Sequence, residues 1–334
     1  MAALASSRWP EEERSPLASV LDVLGADEQR RTRIAWLYHV EGLTQAEIAG
    51  LLGISRVKVV RDLQVCRQTG LVQIRINGRL ASCVALERVL ARRYGLAQAV
   101  VVPSPHDPAH LPATLGVAVG AWLSDRIAPG QTLGIGWGRT LHWSVRALRR
   151  REVPGLTVVS LLGGIGRGSE INTYETASRV AETLGAQCYY LAAPTFASSE
   201  ALRDMLLQQA GLKEVLERAR RADVAVVSVG SLGAEATNRK LGLFDEEEAR
   251  LLASTGALGD LLGTFLDAAG WPVDHPLNRR AVGLPPEDLK RVPISVLASG
   301  GAEKAPIVRA ALVGGYVNAL ITDERTAERL AAEA

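Results

Sequence analysis

Residues 44–63, Thr-Gln-Ala-Glu-Ile-Ala-Gly-Leu-Leu-Gly-Ile-Ser-Arg-Val-Lys-Val-Val-Arg-Asp-Leu, read as two short helices joined by a tight turn. Thr44 followed three residues later by Glu47 has the spacing of a capping box. Ala49 is small where two helices must cross closely, and Gly53 permits the turn between them. Ser55 opens the second helix, whose buried positions fall among Val57, Val59, Val60 and Leu63. Arg56, Lys58 and Arg61 are then left to meet phosphates or base edges in a DNA major groove. Thr44, Gln45 and Ser55, at the two helix starts, complete the expected DNA-contacting set. A helical hairpin with a solvated basic face would share the spacing. The caps, the apolar positions and the cations agree on the DNA reader.

This stretch, with the Gly70-Leu71-Val72 that follows, resembles the heads of bacterial DeoR- and SorC-type repressors. Its surroundings fit. The net charge of the 334 residues is only +2, so charge for DNA must be concentrated locally. Arg30, Arg31, Arg33, Arg56, Lys58, Arg61, Arg67, Arg75 and Arg79 supply that concentration. Three scattered cysteines, Cys66, Cys83 and Cys188, show neither metal-ligand spacing nor a disulfide framework. No metal or cofactor is expected. The first residues lack a secretion signal and no apolar run would span a bilayer, so a cytoplasmic protein without membrane contact is expected.

Domain organisation follows from texture. Residues 1–27 read as a flexible start in which 17–24 can form a short docking helix, and 28–80 as the DNA-binding head, beginning with a helix at 28–41. Residues 71–76 alternate like the strand of a small wing, and 81–96 read as a helical linker. From residue 97 to 334, apolar runs at 99–102, 132–135, 156–162, 187–191, 224–229, 293–298 and 319–322 alternate with helical segments. Those helices are expected at 112–128, 140–151, 173–184, 198–220, 246–254 and 304–314. Continuous apolar strands separated by helices predict a doubly wound, largely parallel α/β domain, with its ligand at the carboxyl ends of the strands.

Four loops of that domain combine glycine with polar residues. In 136–140, Gly136 and Gly138 let backbone amides surround an anion, Thr140 adds a hydroxyl and Arg139 a charge. In 163–172, Gly164 adds a further turn, and Asn172 either caps the next helix or bonds a ligand hydroxyl. In 256–260, Asp260 is either a cap or a hydroxyl acceptor. In 298–304, Lys304 sits at a helix N-terminus, where a cation opposes the macrodipole and an anionic ligand would compensate.

Together these loops resemble the C-terminal domain of SorC-family transcriptional regulators. The markers are 136–141, 162–164, 192–194, 230–232, Gly259-Asp260 with Phe265 and Asp267, and Ser299-Gly300-Gly301 with Lys304. The segment 274–280, Asp-His-Pro-Leu-Asn-Arg-Arg, resembles the erythritol-catabolism branch of that family. The resemblance implies a domain similar to phosphosugar isomerases and deaminases that senses a sugar, polyol or sugar phosphate. It also implies polar or phosphate contacts from Gly138, Arg139, Thr140 and Lys304, and hydroxyl contacts from Asn172 and Asp260. Arg139 departs from the small polar residues common there. The expected partners are double-stranded operator DNA, the small-molecule effector, and further copies of the chain in a dimer or tetramer. A repressor is expected. An isomerase- or deaminase-like enzyme with an accessory head is the alternative, for which Asp260, Asp267, Glu303 and Lys304 would be the acid/base candidates.

Overall fold

The computed structural model describes residues 16–72, 80–166, 172–233 and 236–332. The chain divides into two compact units, Met1–Arg75 and Ile76–Ala334. In the first unit, α1 spans Pro16–His39, α2 Gln45–Leu52 and α3 Arg56–Gln68. Residues 16–27 therefore belong to the first helix, rather than to a separate flexible start. Pro16 supplies the fixed φ that suits a first helical position, and the glycine at 25 is not enough to break the run.

Ile34, Leu37, Ile48, Val59 and Leu63 close a small core among the three helices. Thr44 and Glu47 form the expected capping box, Gly53 takes the left-handed conformation (φ 63°) that ends α2, and the Ser55 hydroxyl accepts from the Lys58 amide. The buried stripe of α3 is Val59, Asp62, Leu63 and Cys66. Val57 and Val60, expected among the buried positions, are 78% and 43% exposed. Asp62 is instead held in the interior by Arg30 of α1, whose Nε donates to Oδ2 over 3.0 Å. The wing strand expected at 71–76 falls largely outside the described residues.

The second unit opens with α4, Leu80–Tyr94. It is no free linker. Cys83 and Leu90 enter the main core, and the Glu87 carboxylate accepts from the Val101 amide of the first strand over 2.9 Å. Ten strands follow among the described residues: β1 Gln98–Val102, β2 Thr132–Ile135, β3 Thr157–Ser160, β4 Gln187–Tyr189, β5 Val224–Val227, β6 Val229–Ser231, β7 Gly259–Leu261, β8 Thr264–Leu266, β9 Ile294–Ala298 and β10 Ala319–Asp323. The helices among them are α5 Leu111–Arg126, α6 Arg139–Ala147, α7 Thr173–Leu184, α8 Glu200–Gln208, α9 Ala210–Arg220, α10 Thr237–Lys240, α11 Glu246–Ser254, α12 Pro276–Arg280, α13 Pro286–Leu289, α14 Ala305–Val313 and α15 Glu324–Ala332.

Seven strands form one parallel sheet in the order β1-β10-β9-β5-β2-β3-β4. Each coincides with an apolar run read from the sequence. The strand period of two sorts β5 between two cores. Val224 and Val226 join Leu115 of α5, Leu141 of α6 and Val180 of α7 on one face. Ala225 and Val227 join Leu216 of α9, Ile307 of α14 and Ala327 of α15 on the other. Both faces are covered, which is the doubly wound architecture.

The run 224–229 is not one strand. It breaks at Ser228, and Val229 begins β6 of a separate antiparallel sheet in the order β6-β7-β8. That sheet rests on a third cluster built around Phe244, Leu252, Phe265 and Leu277. The helix expected over 198–220 is likewise two, parted where Gln209 turns extended (ψ 129°).

Candidate functional site

A cavity of about 530 Å³ opens at the carboxyl ends of the central strands. The chain runs outward from β2 through β3 to β4, then returns to β5 on the other side of β2. A crevice between crossovers that leave in opposite directions is left at that reversal, as in other doubly wound sheets. Residues 137–140 after β2, 228–231 after β5 and 300–304 after β9 line it, joined by Asn238 of α10 and Asp260 of β7.

Helix α6 begins at this cavity with Gly138 as its N-cap, at φ 120°, a conformation that favours glycine, and no side chain caps its first amides. Helix α14 begins there too, with Lys304 at the N-cap and again no side-chain cap. The α6 start, without a side-chain cap, thus faces the same space as two cations, Arg139 and Lys304, whereas at the α14 start the Lys304 and Ala305 amides both donate to Gly301 O and Pro306 has no N–H. Burial first, and the Arg139 guanidinium second, bring the Lys304 pKa down to about 8 against the opposing pull of Asp260 and Glu303. An anion seated there would relieve both sources of unfavourable charge.

Asp260 forms the other wall. It is buried and lies in β7 opposite Gly230 of β6. The Asn238 side-chain amide donates to its Oδ1 over 2.7 Å, and the Gly263 amide donates to its Oδ2 over 3.0 Å. Burial pushes the carboxyl upward, while these two donors and Lys304 pull it back. A Cβ at Gly230 would stand 2.2 Å from Oδ1, so only glycine leaves room for the carboxylate here. Each oxygen keeps acceptor capacity, which suits Asp260 to a ligand hydroxyl. The expectation of a helix cap at Asp260 is replaced by a strand position.

The expected effector set divides. Gly138, Arg139, Thr140, Asp260 and Lys304 line one cavity. Gly136, Gly164 and Asn172 do not. Gly136 continues the main-chain pairing of β2, its amide donating to Val226 O over 2.9 Å. Gly164 packs under Tyr174, whose ring leaves no space for a Cβ. Asn172 caps α7, accepting from the Tyr174 amide and donating to Ile165 O. The polar groups of Gly164 and Asn172 are thus taken up within the fold, and residues 167–171 of loop 163–172 lie outside the described residues. Asn238 and Thr237 are cavity residues that no motif announced, and Ser231, inside the marker 230–232, carried no expected role in the site.

In the first unit, Arg56, Lys58 and Arg61 are all exposed on α3. Arg56 borders a groove with Thr44 and Gln45, which brings both helix starts to one surface. The Thr44 hydroxyl is engaged with Glu47 and the Ser55 hydroxyl with the Lys58 amide, so both also serve as caps. Sequence reasoning missed the apolar part of this face. Val57 and Val60 lie between the cations, where methyl groups can meet thymine.

Residues 78–332 match the model of a family described as "Putative sugar-binding domain". The chain is 34% identical over 309 residues to the erythritol catabolism regulatory protein EryD of Brucella abortus, covering 91% of this chain and 97% of that protein. It is 33% identical over 306 residues to the deoxyribonucleoside regulator of Bacillus subtilis, covering 91% and 97%. Among solved structures, the full-length sorbitol operon regulator SorC from Klebsiella pneumoniae superposes with a TM-score of 0.70 at 27% identity, covering 92% and 99%.

Proposed function

The chain belongs to the sugar-binding domain family of SorC-type transcriptional regulators, and from that premise we propose how it works. It is a transcriptional regulator and not an enzyme. A sugar, polyol or sugar-phosphate effector occupies the 530 Å³ cavity, with its anionic or most polar end at Gly138, Arg139, Thr140 and Lys304 and its hydroxyls at Asp260. Thr44, Gln45, Arg56, Lys58 and Arg61 meet operator DNA through the major groove, with Ser55 setting the start of the reading helix. The names of the relatives, which refer to erythritol, deoxyribonucleosides and sorbitol, support a polyhydroxylated ligand. Copies of the chain assemble as a dimer or tetramer on a paired operator in the cytoplasm, and among the described residues no helix is long and apolar enough to cross a membrane.

The observation that carries this reading is the convergence of the α6 start, which has no side-chain cap, with Arg139, Lys304 and a hydrogen-bonded Asp260 on a single cavity. Thermal shift with polyols, pentoses, hexoses and their phosphates tests it, because a ligand that binds only the native state raises the melting temperature increasingly as its concentration exceeds its Kd. A selective shift that Lys304→Ala and Asp260→Ala both remove is expected. A shift retained in both variants would put the effector elsewhere.

A further inference from the structure

One face of α1 takes no part in the core of its own unit. Gly25, Glu28, Gln29, Thr32, Arg33 and Trp36 follow one another at helical spacing and line a single groove, which Leu51 of α2 also borders. Trp36 is 58% exposed and Leu51 66%, and Val40, one turn beyond Trp36, is 61% exposed. The Trp36 indole N–H is already held by Glu41 over 3.1 Å, so the ring is fixed while its surface stays open. The ion pairs of this unit join Arg30 and Arg31 to Asp27 and Asp62, and among the described residues they leave Glu28 and Arg33 out. Gly25 is also unexplained from within. A mid-helix glycine costs about 1 kcal/mol relative to alanine, yet a Cβ there would meet nothing within 4 Å.

We propose that this stripe is the contact between two copies of the chain, formed by antiparallel packing of α1 against α1 about a two-fold axis between Arg30 and Arg31. The sequence of the stripe is complementary to its own reversal. That axis sets the Trp36 ring of one copy over Gly25 of the other, Glu28 opposite Arg33, and Gln29 opposite Thr32, each contact occurring twice as an isologous interface requires. A bulky ring meets the one position without a side chain, and an anion meets a cation. A parallel pairing would oppose like charges at both positions instead. The proposal rests on the reading that paired heads bind a paired operator, and it names the surface that pairs them.

Cysteine cross-linking of the full-length chain tests the register without DNA. Gly25→Cys with Trp36→Cys in one chain is expected to give a covalent dimer under mild oxidation, and so is Glu28→Cys with Arg33→Cys, which spares the tryptophan. Neither single substitution at 25 or 36 should do so, since residues 25 and 36 stand about 16 Å apart along the helix. In the Gly25→Cys/Trp36→Cys chain, adding Glu28→Arg should lower the dimer yield, and adding Arg33→Glu to that should restore it. No dimer in either paired variant would overturn the proposal, as would equal dimer in the single variants or failure of the double charge exchange to restore it. If cross-linking fails while a paired operator is still bound, the surface is wrong and the DNA-reading role stands.

Discussion

Asn238 donates its side-chain amide to Oδ1 of Asp260 over 2.7 Å, joining the short helix α10 to the hairpin β7-β8 at the wall of the cavity. The two residues are far apart in the chain and meet because β6 and β7 pair with Gly230 opposite Asp260. The bond holds the orientation of a carboxylate that is otherwise buried at the cavity wall.

Asn238→Ala is expected to weaken effector binding by about 1 kcal/mol, roughly fivefold, by releasing that carboxylate. Asp260→Ala should cost more. Neither change should alter operator affinity in the absence of effector. Titrating the effector against a fluorescent operator complex separates the two, and an unchanged midpoint for both variants would remove Asp260 from the site.

Lys304 gives the site a pH dependence. Its folded pKa of about 8 lies below the ordinary 10.5, so between those values the unfolded chain binds more protons, and this group adds stability as pH rises through that window. An anionic effector favours the charged ammonium and raises its pKa, so binding takes up a proton above pH 8. Affinity for a sugar phosphate should therefore be highest below pH 8 and fall as pH rises through it. Lys304→Met should bind weakly with a flat profile, and a parent profile flat from pH 7 to 9 would contradict the assignment.

Arg56→Ala, Lys58→Ala and Arg61→Ala should weaken operator binding, by about 1–3 kcal/mol wherever the side chain reads a base, and leave effector affinity unchanged. Val57→Ala should act differently. It removes exposed methyl groups without charge, so it should change base preference more than the salt dependence of binding. A selection from randomised DNA performed on parent and variant would register the difference.

Removing the partner of a partly buried guanidinium should be felt locally. Asp62→Ala strips Arg30 of its 3.0 Å contact and should destabilise the three-helix unit by about 1–3 kcal/mol. Hydrogen exchange of the α3 amides in the full chain should accelerate while that of the central sheet does not. Equal protection of α3 in parent and variant would show that the pair contributes nothing.

The legible parts of this chain are those in which one local pattern suffices. The central strands of the parallel sheet stand out because a strand covered on both faces must be largely apolar, as 224–227 and 319–321 are. The capping box at Thr44 and the helix starts at Gly138 and Lys304 are equally local. The antiparallel sheet was not legible, since strands of three residues are too short to show alternation and Ser228 carries no breaker to mark where β5 ends. Asn238 was invisible because its role exists only through Asp260. Asn172 misled for the converse reason, since a residue suited to a hydroxyl ligand is equally suited to a cap, and α7 used it as one. Val57 and Val60 look buried by composition, but helical geometry gives the interior to Val59 and Asp62.

The break at Ser228 also bears on how such a receptor can change its ligand. Residues 228–293 form an excursion from the regular strand–helix alternation, leaving the sheet after β5 and rejoining it at β9. That excursion carries Ser231, Thr237, Asn238 and Asp260, whereas Gly138, Arg139, Thr140 and Lys304 lie on crossovers of the sheet itself. The half of the cavity proposed to read hydroxyls and the half that carries the cations thus come from different stretches of chain. Variation confined to the cavity-lining positions of the excursion is expected to retune stereochemical preference, whereas Val229, Leu261, Leu266, Val282 and Leu289 of the same stretch belong to the main core and tie any exchange of 228–293 to the packing of the sheet.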